Sequence, residues 1–144
     1  MEPPLNQRSR RREITPFRQE AVGRAEAYLQ AHTDMPLRVD ALSRMVGLSE
    51  RALRDAFYSV HGMSPKQWML AERLKAVRRI LSGRLSPTIS VTGAATRYGF
   101  FELGRFAASY KEAFGEVPSA TLRDAMRRSV DSAQRKGHDY VSAR

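Results

Sequence analysis

Cysteine is absent from the 144-residue sequence, which excludes disulfides and thiolate metal sites. Long apolar runs are also missing, so the sequence predicts neither a signal peptide nor a membrane span. The histidines, His32, His61 and His138, are widely separated, and no catalytic or phosphate-binding motif accompanies them. We therefore expect a cytoplasmic protein that is not an enzyme and has no cofactor, no metal and no small-molecule ligand in this segment.

Positive charge is in excess, with 25 Lys and Arg against 15 Asp and Glu, a formal net charge of +10. A surface of this kind releases condensed counterions when it docks on a polyanion, so nucleic acid is the leading class of partner. A basic protein without a polyanionic partner and one that binds an acidic membrane surface are alternatives. Charge alone does not choose among them.

Apolar residues recur at the helical period along most of the chain, and the alternation typical of strands is missing. This pattern predicts an all-α fold. Helices are expected at about 15–33, 39–46, 49–61, 64–81, 91–98, 102–114 and 119–126. Residues 1–14, with arginines at positions 8, 10, 11 and 12, are predicted to be a disordered basic arm, and residues 127–144 a flexible tail without regular structure.

Helix ends carry their own signals. Ser49 is a good N-cap for 49–61, and Gly62 suits a left-handed position just after that helix. Ser64 and Gln67 have the spacing of a capping box, with Pro65 between them at the first helical position. This is the clearest predicted helix start in the chain.

The two halves of the chain repeat each other. Ser43 and Gly47 match Ala95 and Gly99 at an offset of 52, and four later positions match at 53: Leu53 with Phe106, Phe57 with Tyr110, Gly62 with Gly115, and Pro65 with Pro118. A small residue that lets two helices cross, a glycine turn and an apolar helix form a helix-turn-helix pattern. A helical array for protein binding is the alternative, although such arrays usually need three or more repeats.

Inward-facing residues can be assigned from spacing. In the first helix they are expected at Phe17, Ala21, Val22, Ala25 and Leu29. In 49–61 they are Leu53, Ala56, Phe57 and Val60, and in 64–81 they are Leu70, Leu74, Val77 and Leu81, with Trp68 and Met69 as further packing residues.

The opposite face of 49–61 carries Arg51, Arg54, Asp55 and Tyr58, with Ser49 at the start of the helix. Arginine matches guanine O6 and N7, and a carboxylate accepts from cytosine N4, so this face has the chemistry for reading bases. An ordinary solvated face with an Arg51–Asp55 ion pair is the alternative.

Several strings resemble the DNA-binding domain of the AraC/XylS family of bacterial transcription regulators, over about residues 16–126. They are Gly-Met-Ser-Pro at 62–65, Arg-Leu at 73–74 with Ala76, Arg-Tyr-Gly-Phe at 97–100, and then Phe106, Tyr-Lys at 110–111, Phe-Gly at 114–115 and the run from Pro118 to Arg123. The resemblance implies two homeodomain-like helix-turn-helix subdomains, 15–63 and 83–126, joined by a linker helix at 64–82. It also implies sequence-specific binding of double-stranded DNA, with transcription activation through RNA polymerase as the favoured output.

The resemblance further implies that helices 49–61 and 102–114 enter adjacent major grooves. A linker of 18 residues spans about 27 Å, comparable with the roughly 34 Å between successive grooves. In the second helix the matching positions are Gly104, Ala107 and Ala108, where the family usually has side chains that form hydrogen bonds. Arg105 and Lys111 are suited to phosphates, so we predict asymmetric reading with most specificity in the first unit.

Two rival functions remain open at this point. One is a non-specific architectural DNA binder, and the other is a protein-interaction module that contacts RNA polymerase. Larger family members carry a sensor domain ahead of this module, so the chain is expected to be either a piece of such a protein or a small regulator by itself.

Overall fold

The computed structural model describes residues 13–83 and 89–141, which contain seven helices and no strand. The helices are α1 (Pro16–Ala31), α2 (Val39–Val46), α3 (Glu50–His61), α4 (Pro65–Ser82), α5 (Val91–Arg97), α6 (Leu103–Phe114) and α7 (Pro118–Val141). The predicted all-α fold is therefore confirmed. Most of the predicted basic arm, residues 1–12, lies outside the described residues. None of the described helices is long and apolar enough to cross a membrane.

The chain divides into two compact units, and the division falls inside α4. The first unit contains the described residues up to 70, and the second contains those from 71 onward. The core of the first unit gathers α1, α2, α3 and the start of α4 around the fully buried Leu53 and Phe57. The core of the second unit gathers the rest of α4 with α5 and α6 around Phe106 and Tyr110.

The internal repeat predicted from the sequence is present in the backbone. Gly47 and Gly99 both have positive φ, 75° and 83°. The residue after each glycine donates its N–H to the small residue of the pattern, Leu48 to the carbonyl of Ser43 and Phe100 to that of Ala95, each at 3.0 Å. Ser43 and Ala95 are both buried, as close helix crossing requires.

The predicted helix ends are also observed. The Ser49 hydroxyl accepts from the Ala52 N–H, and Gly62 takes the left-handed conformation after α3. In the capping box the Ser64 hydroxyl accepts from the Gln67 N–H at 3.2 Å, and the Gln67 amide oxygen accepts from the Ser64 N–H at 2.9 Å. These local signals fix where α3 ends and α4 begins.

In the second unit, a series of side-chain hydrogen bonds connects α6 to α7. The buried Tyr110 hydroxyl lies 2.8 Å from Thr121 Oγ1, and Thr121 donates in turn to Glu116 at 2.6 Å. Burial raises the pKa of Tyr110, so its phenol stays protonated. Because Thr121 gives its single hydroxyl proton to Glu116, Tyr110 is the donor to Thr121. Three buried or partly buried polar groups are thereby satisfied within the unit.

Three side chains expected to point inward are exposed instead. Phe17 is 59% exposed because it lies one turn before the buried stripe of α1 begins, and its ring rests beside Gly47. Val60 is 39% exposed in the last turn of α3, beyond the buried Phe57. Leu70 is 41% exposed because the start of α4 buries a different face, that of Trp68 and Met69, from the one buried later by Leu74 and Val77.

The expectation that residues 127–144 lack regular structure is wrong for 127–141, which continue α7. The apolar period that predicted the other helices fades there. Helix propagation needs no buried face once a nucleus is fixed, and here the first turn of α7 is fixed in the unit by the buried Pro118 and Thr121.

Gly99→Ala is expected to lower the free energy of unfolding by about 1–2 kcal/mol, because an L side chain at positive φ is strained. Its Cβ would also lie 3.2 Å from the Arg73 guanidinium. Denaturant unfolding followed by far-UV circular dichroism measures the change. Gly104→Ala is the matched control, since that glycine is helical with nothing within 4 Å of the added carbon, and it should be neutral or stabilising. Equal losses for both variants would contradict a specific requirement at the turn.

Candidate nucleic-acid interface

One side of α3 is fixed in the core and the other is open to solvent. Leu53, Ala56 and Phe57 are buried, and together they set the rotation of the helix in the first unit. The four predicted reading residues share the opposite face, and all of them are exposed: Arg51, Arg54, Asp55 and Tyr58. The structure thus brings these side chains together on one surface of a rigid helix.

The ion pair on this face differs from the alternative considered from the sequence. The Arg54 guanidinium lies 3.6 Å from the Glu50 carboxylate, one turn earlier, and both side chains are about half exposed. Within the described part of the chain, neither Arg51 nor Asp55 forms an ion pair. An exposed pair contributes only about 0.2–1 kcal/mol, so Arg54 can leave Glu50 at little cost.

Ser49 stands at the N-terminus of the same helix and is exposed. Its hydroxyl accepts from the Ala52 N–H at 3.1 Å, which is an N-cap. The hydroxyl can still donate outward, so Ser49 combines a structural role with a free donor beside the positive end of the helix dipole.

The corresponding face of α6 is chemically sparse. Gly104 and Ala108 are exposed and Ala107 is partly buried, so this face offers backbone and methyl groups. Two cations accompany these positions, and Lys111 lies one turn after Ala107 and Ala108 on the same face. Lys111 is exposed, and the Arg105 side chain is 82% exposed beside Glu102, with 3.4 Å between the charged atoms.

Charges on α2 are partly neutralised locally. Asp40 lies 3.4 Å from Arg38 and 3.2 Å from Arg44. A hydrogen bond from the Ala41 backbone N–H lowers the pKa of Asp40, and the two arginines act in the same direction. Asp40 therefore stays ionised, and its negative charge partly neutralises the positive charges of Arg38 and Arg44.

Sequence reasoning missed two features near the second unit's exposed surface. Phe101, just before α6, is 79% exposed. Arg127 and Arg128 line a cavity with Arg78, although their segment was expected to lack structure. The sequence signal that could have indicated this cavity is the pair of adjacent arginines, Arg127 and Arg128.

Within the described residues, no group of His, Cys, Asp or Glu side chains could hold a metal ion.

Comparison with known proteins identifies the architecture. A family model described as a helix-turn-helix domain matches residues 42–124, more than half of the chain. The crystal structure of a probable AraC family transcriptional regulator from Rhodopseudomonas palustris CGA009 matches with a TM-score of 0.68 and 38% identity, covering 74% of this chain and 97% of that one. These matches confirm the fold expected from the resemblance.

Two further relatives extend the comparison. The XylDLEGF operon transcriptional activator of Pseudomonas putida is 33% identical over 100 residues, covering 69% of this chain and 31% of that protein. The DNA-binding domain of AdpA, solved in complex with a target DNA, shares the fold with a TM-score of 0.66 at 24% identity, covering 75% of this chain and 95% of that one. The chain spans less than a third of the first curated relatives it matches, 29% and 31% of their lengths.

Proposed function

The chain belongs to the AraC/XylS family of DNA-binding transcription regulators, and from this premise we propose that it recognises a specific duplex sequence through α3 and α6. The observation that carries the proposal is the exposed face of α3. This face presents two arginines, an aspartate and a tyrosine to solvent, and the opposite face of the helix is buried. A rigid helix with such a face suits the major groove.

In α3 we assign the base contacts to Arg51, Arg54 and Asp55. The planar guanidinium of arginine donates two hydrogen bonds to guanine O6 and N7, and the Asp55 carboxylate accepts from cytosine N4. Tyr58 on this face and Ser49 at the N-terminus of the helix are both exposed, and their hydroxyls suit the sugar-phosphate backbone.

In α6 we assign a weaker contribution to specificity. Gly104 offers no side chain, and Ala107 and Ala108 offer only methyl groups, which suit contact with a thymine methyl. Arg105 and Lys111 are cations suited to phosphate, which fixes position without selecting sequence. The proposal places α3 and α6 in adjacent major grooves, with α3 supplying most of the discrimination among sequences.

Transcription activation is the proposed output, through contact with RNA polymerase on the bacterial nucleoid in the cytoplasm. The support is the relative named as an operon activator, which is 33% identical to this chain. The match covers only 29% and 31% of the first two curated relatives, so the proposal includes no effector or sensor function for this chain. No catalytic role is assigned.

The test is selection of bound sites from random duplex DNA, followed by titration of the selected site and a scrambled site at several salt concentrations. We expect the selected site to bind about 10³-fold more tightly or better. The logarithm of affinity should fall steeply with the logarithm of salt, by about 0.9 for each phosphate contacted. Equal affinity for both duplexes would indicate an architectural binder. A flat response to salt would indicate a protein-interaction module instead.

A further inference from the structure

A polar cavity lies within the second unit, and its lining contains none of the predicted DNA-reading residues. Its volume is about 550 Å³, inside the range of small-ligand sites. Arg78 of α4 and the adjacent pair Arg127 and Arg128 of α7 line it, together with the carboxylates of Glu116 and Asp124. Three guanidiniums thus face the same space.

The guanidiniums are not neutralised by ion pairs. In residues 13–83 and 89–141, neither Arg78 nor Arg127 nor Arg128 forms an ion pair with a carboxylate. The Arg78 guanidinium lies 4.6 Å from the centre of the Phe114 ring, a cation–π contact that holds the charge in place without cancelling it. The cavity therefore keeps its positive charge.

The carboxylates do not offset this charge fully. Glu116 already accepts a hydrogen bond from Thr121, which is tied to the buried Tyr110, so its position is fixed by the fold. Asp124 is exposed and lies one turn before Arg127 and Arg128 on the same helix. Three cations against two anions leave the lining with a net positive charge, and the guanidiniums supply N–H donors for an anionic ligand.

We propose that this cavity binds a phosphate group. Guanidiniums present planar forks of N–H donors that match phosphate oxygens, and several of them around one space are typical of phosphate recognition. Residues 127 and 128 lie beyond the stretch matched by the helix-turn-helix family, 42–124, so the cavity depends on the extension of α7. The phosphate comes either from a small phosphorylated compound or from the DNA backbone, and the second source rests on the proposed function.

The experiment uses inorganic pyrophosphate and the whole chain. Isothermal titration calorimetry at low salt compares the unaltered protein with the double variant Arg127→Gln with Arg128→Gln. The matched control is Arg135→Gln with Lys136→Gln, which removes the same charge from an adjacent, exposed pair on the same helix outside the cavity. We expect the cavity variant to bind pyrophosphate at least about tenfold more weakly, because two charge-assisted sets of hydrogen bonds are lost. The control should stay within a factor of two to three.

The two sources of phosphate are separated by repeating the salt titration with duplex DNA. If the cavity holds a backbone phosphate, the cavity variant should bind all duplexes more weakly by a similar factor. The slope of its logarithmic affinity against logarithmic salt concentration should fall by about 0.9, and pyrophosphate should compete with DNA for the protein. If it holds a small compound, DNA binding by the cavity variant should equal that of the control. Equal pyrophosphate binding by both variants, with equal DNA slopes, would overturn the proposal while leaving recognition through α3 untouched.

Discussion

Phe57→Ala is expected to lower the free energy of unfolding of the first unit by about 3–5 kcal/mol, the range for removing a fully buried phenylalanine. Phe57 is 0% exposed at the centre of the cluster formed by α1, α2 and α3. Its ring packs edge-on against Trp68, with 6.1 Å between the ring centres. The truncation leaves a cavity, because the neighbouring side chains are closely packed and can move only partly into the vacated space.

The measurement is denaturant unfolding followed by the fluorescence of Trp68, the single tryptophan of the sequence, which lies in the same cluster. Circular dichroism on the same samples reports the helix content of the whole chain. Val60→Ala is the control, because Val60 lies on the same helix but is 39% exposed, and it should cost less than about 1 kcal/mol. Equal losses for the two variants would contradict the assignment of the buried face of α3.

Local signals made much of this fold predictable from the sequence. Ser49, Gly62 and the capping box of Ser64 with Gln67 act through hydrogen bonds and dihedral angles within a few residues, so their effect does not depend on the rest of the chain. The repeat was equally visible because both turns need a glycine at positive φ, at Gly47 and Gly99.

What the sequence did not predict depends on tertiary context. Leu70 lies on the apolar stripe of α4, yet it is exposed because the helix changes the face it buries along its length. The exposure of Phe17 and Val60 likewise depends on where the core ends. The extension of α7 carries no buried stripe, so hydrophobic period could not reveal it.

The candidate site shows the same division. Spacing alone placed Arg51, Arg54, Asp55 and Tyr58 on one face, and the structure has all four exposed. Spacing could not choose the ion pair, because Arg54 has Glu50 one turn before it while Arg51 has Asp55 one turn after it. The choice depends on rotamers, and the structure has Arg54 with Glu50. The base contacts themselves stay predictions.

Arg54→Ala is expected to weaken binding to the selected duplex by about 1–3 kcal/mol, roughly five- to 150-fold, and to relax the preference at one base position. The loss of a bidentate contact leaves guanine O6 and N7 without partners. Duplexes with another base pair at that position should lose little affinity, because they did not make this contact. Binding to duplexes that vary at each position in turn, measured by fluorescence anisotropy at constant salt, gives both the loss and its location.

Two further variants turn this into a test of the mechanism. Lys111→Ala on α6 should weaken all duplexes by a similar factor and lower the salt slope by about 0.9, because a phosphate contact carries no sequence information. Glu50→Gln removes the carboxylate that lies 3.6 Å from Arg54, so it should strengthen binding, by up to about fivefold, and keep the base preference. If Arg54→Ala instead weakens every duplex equally, Arg54 holds a phosphate, and base selection must then pass to Arg51 and Asp55.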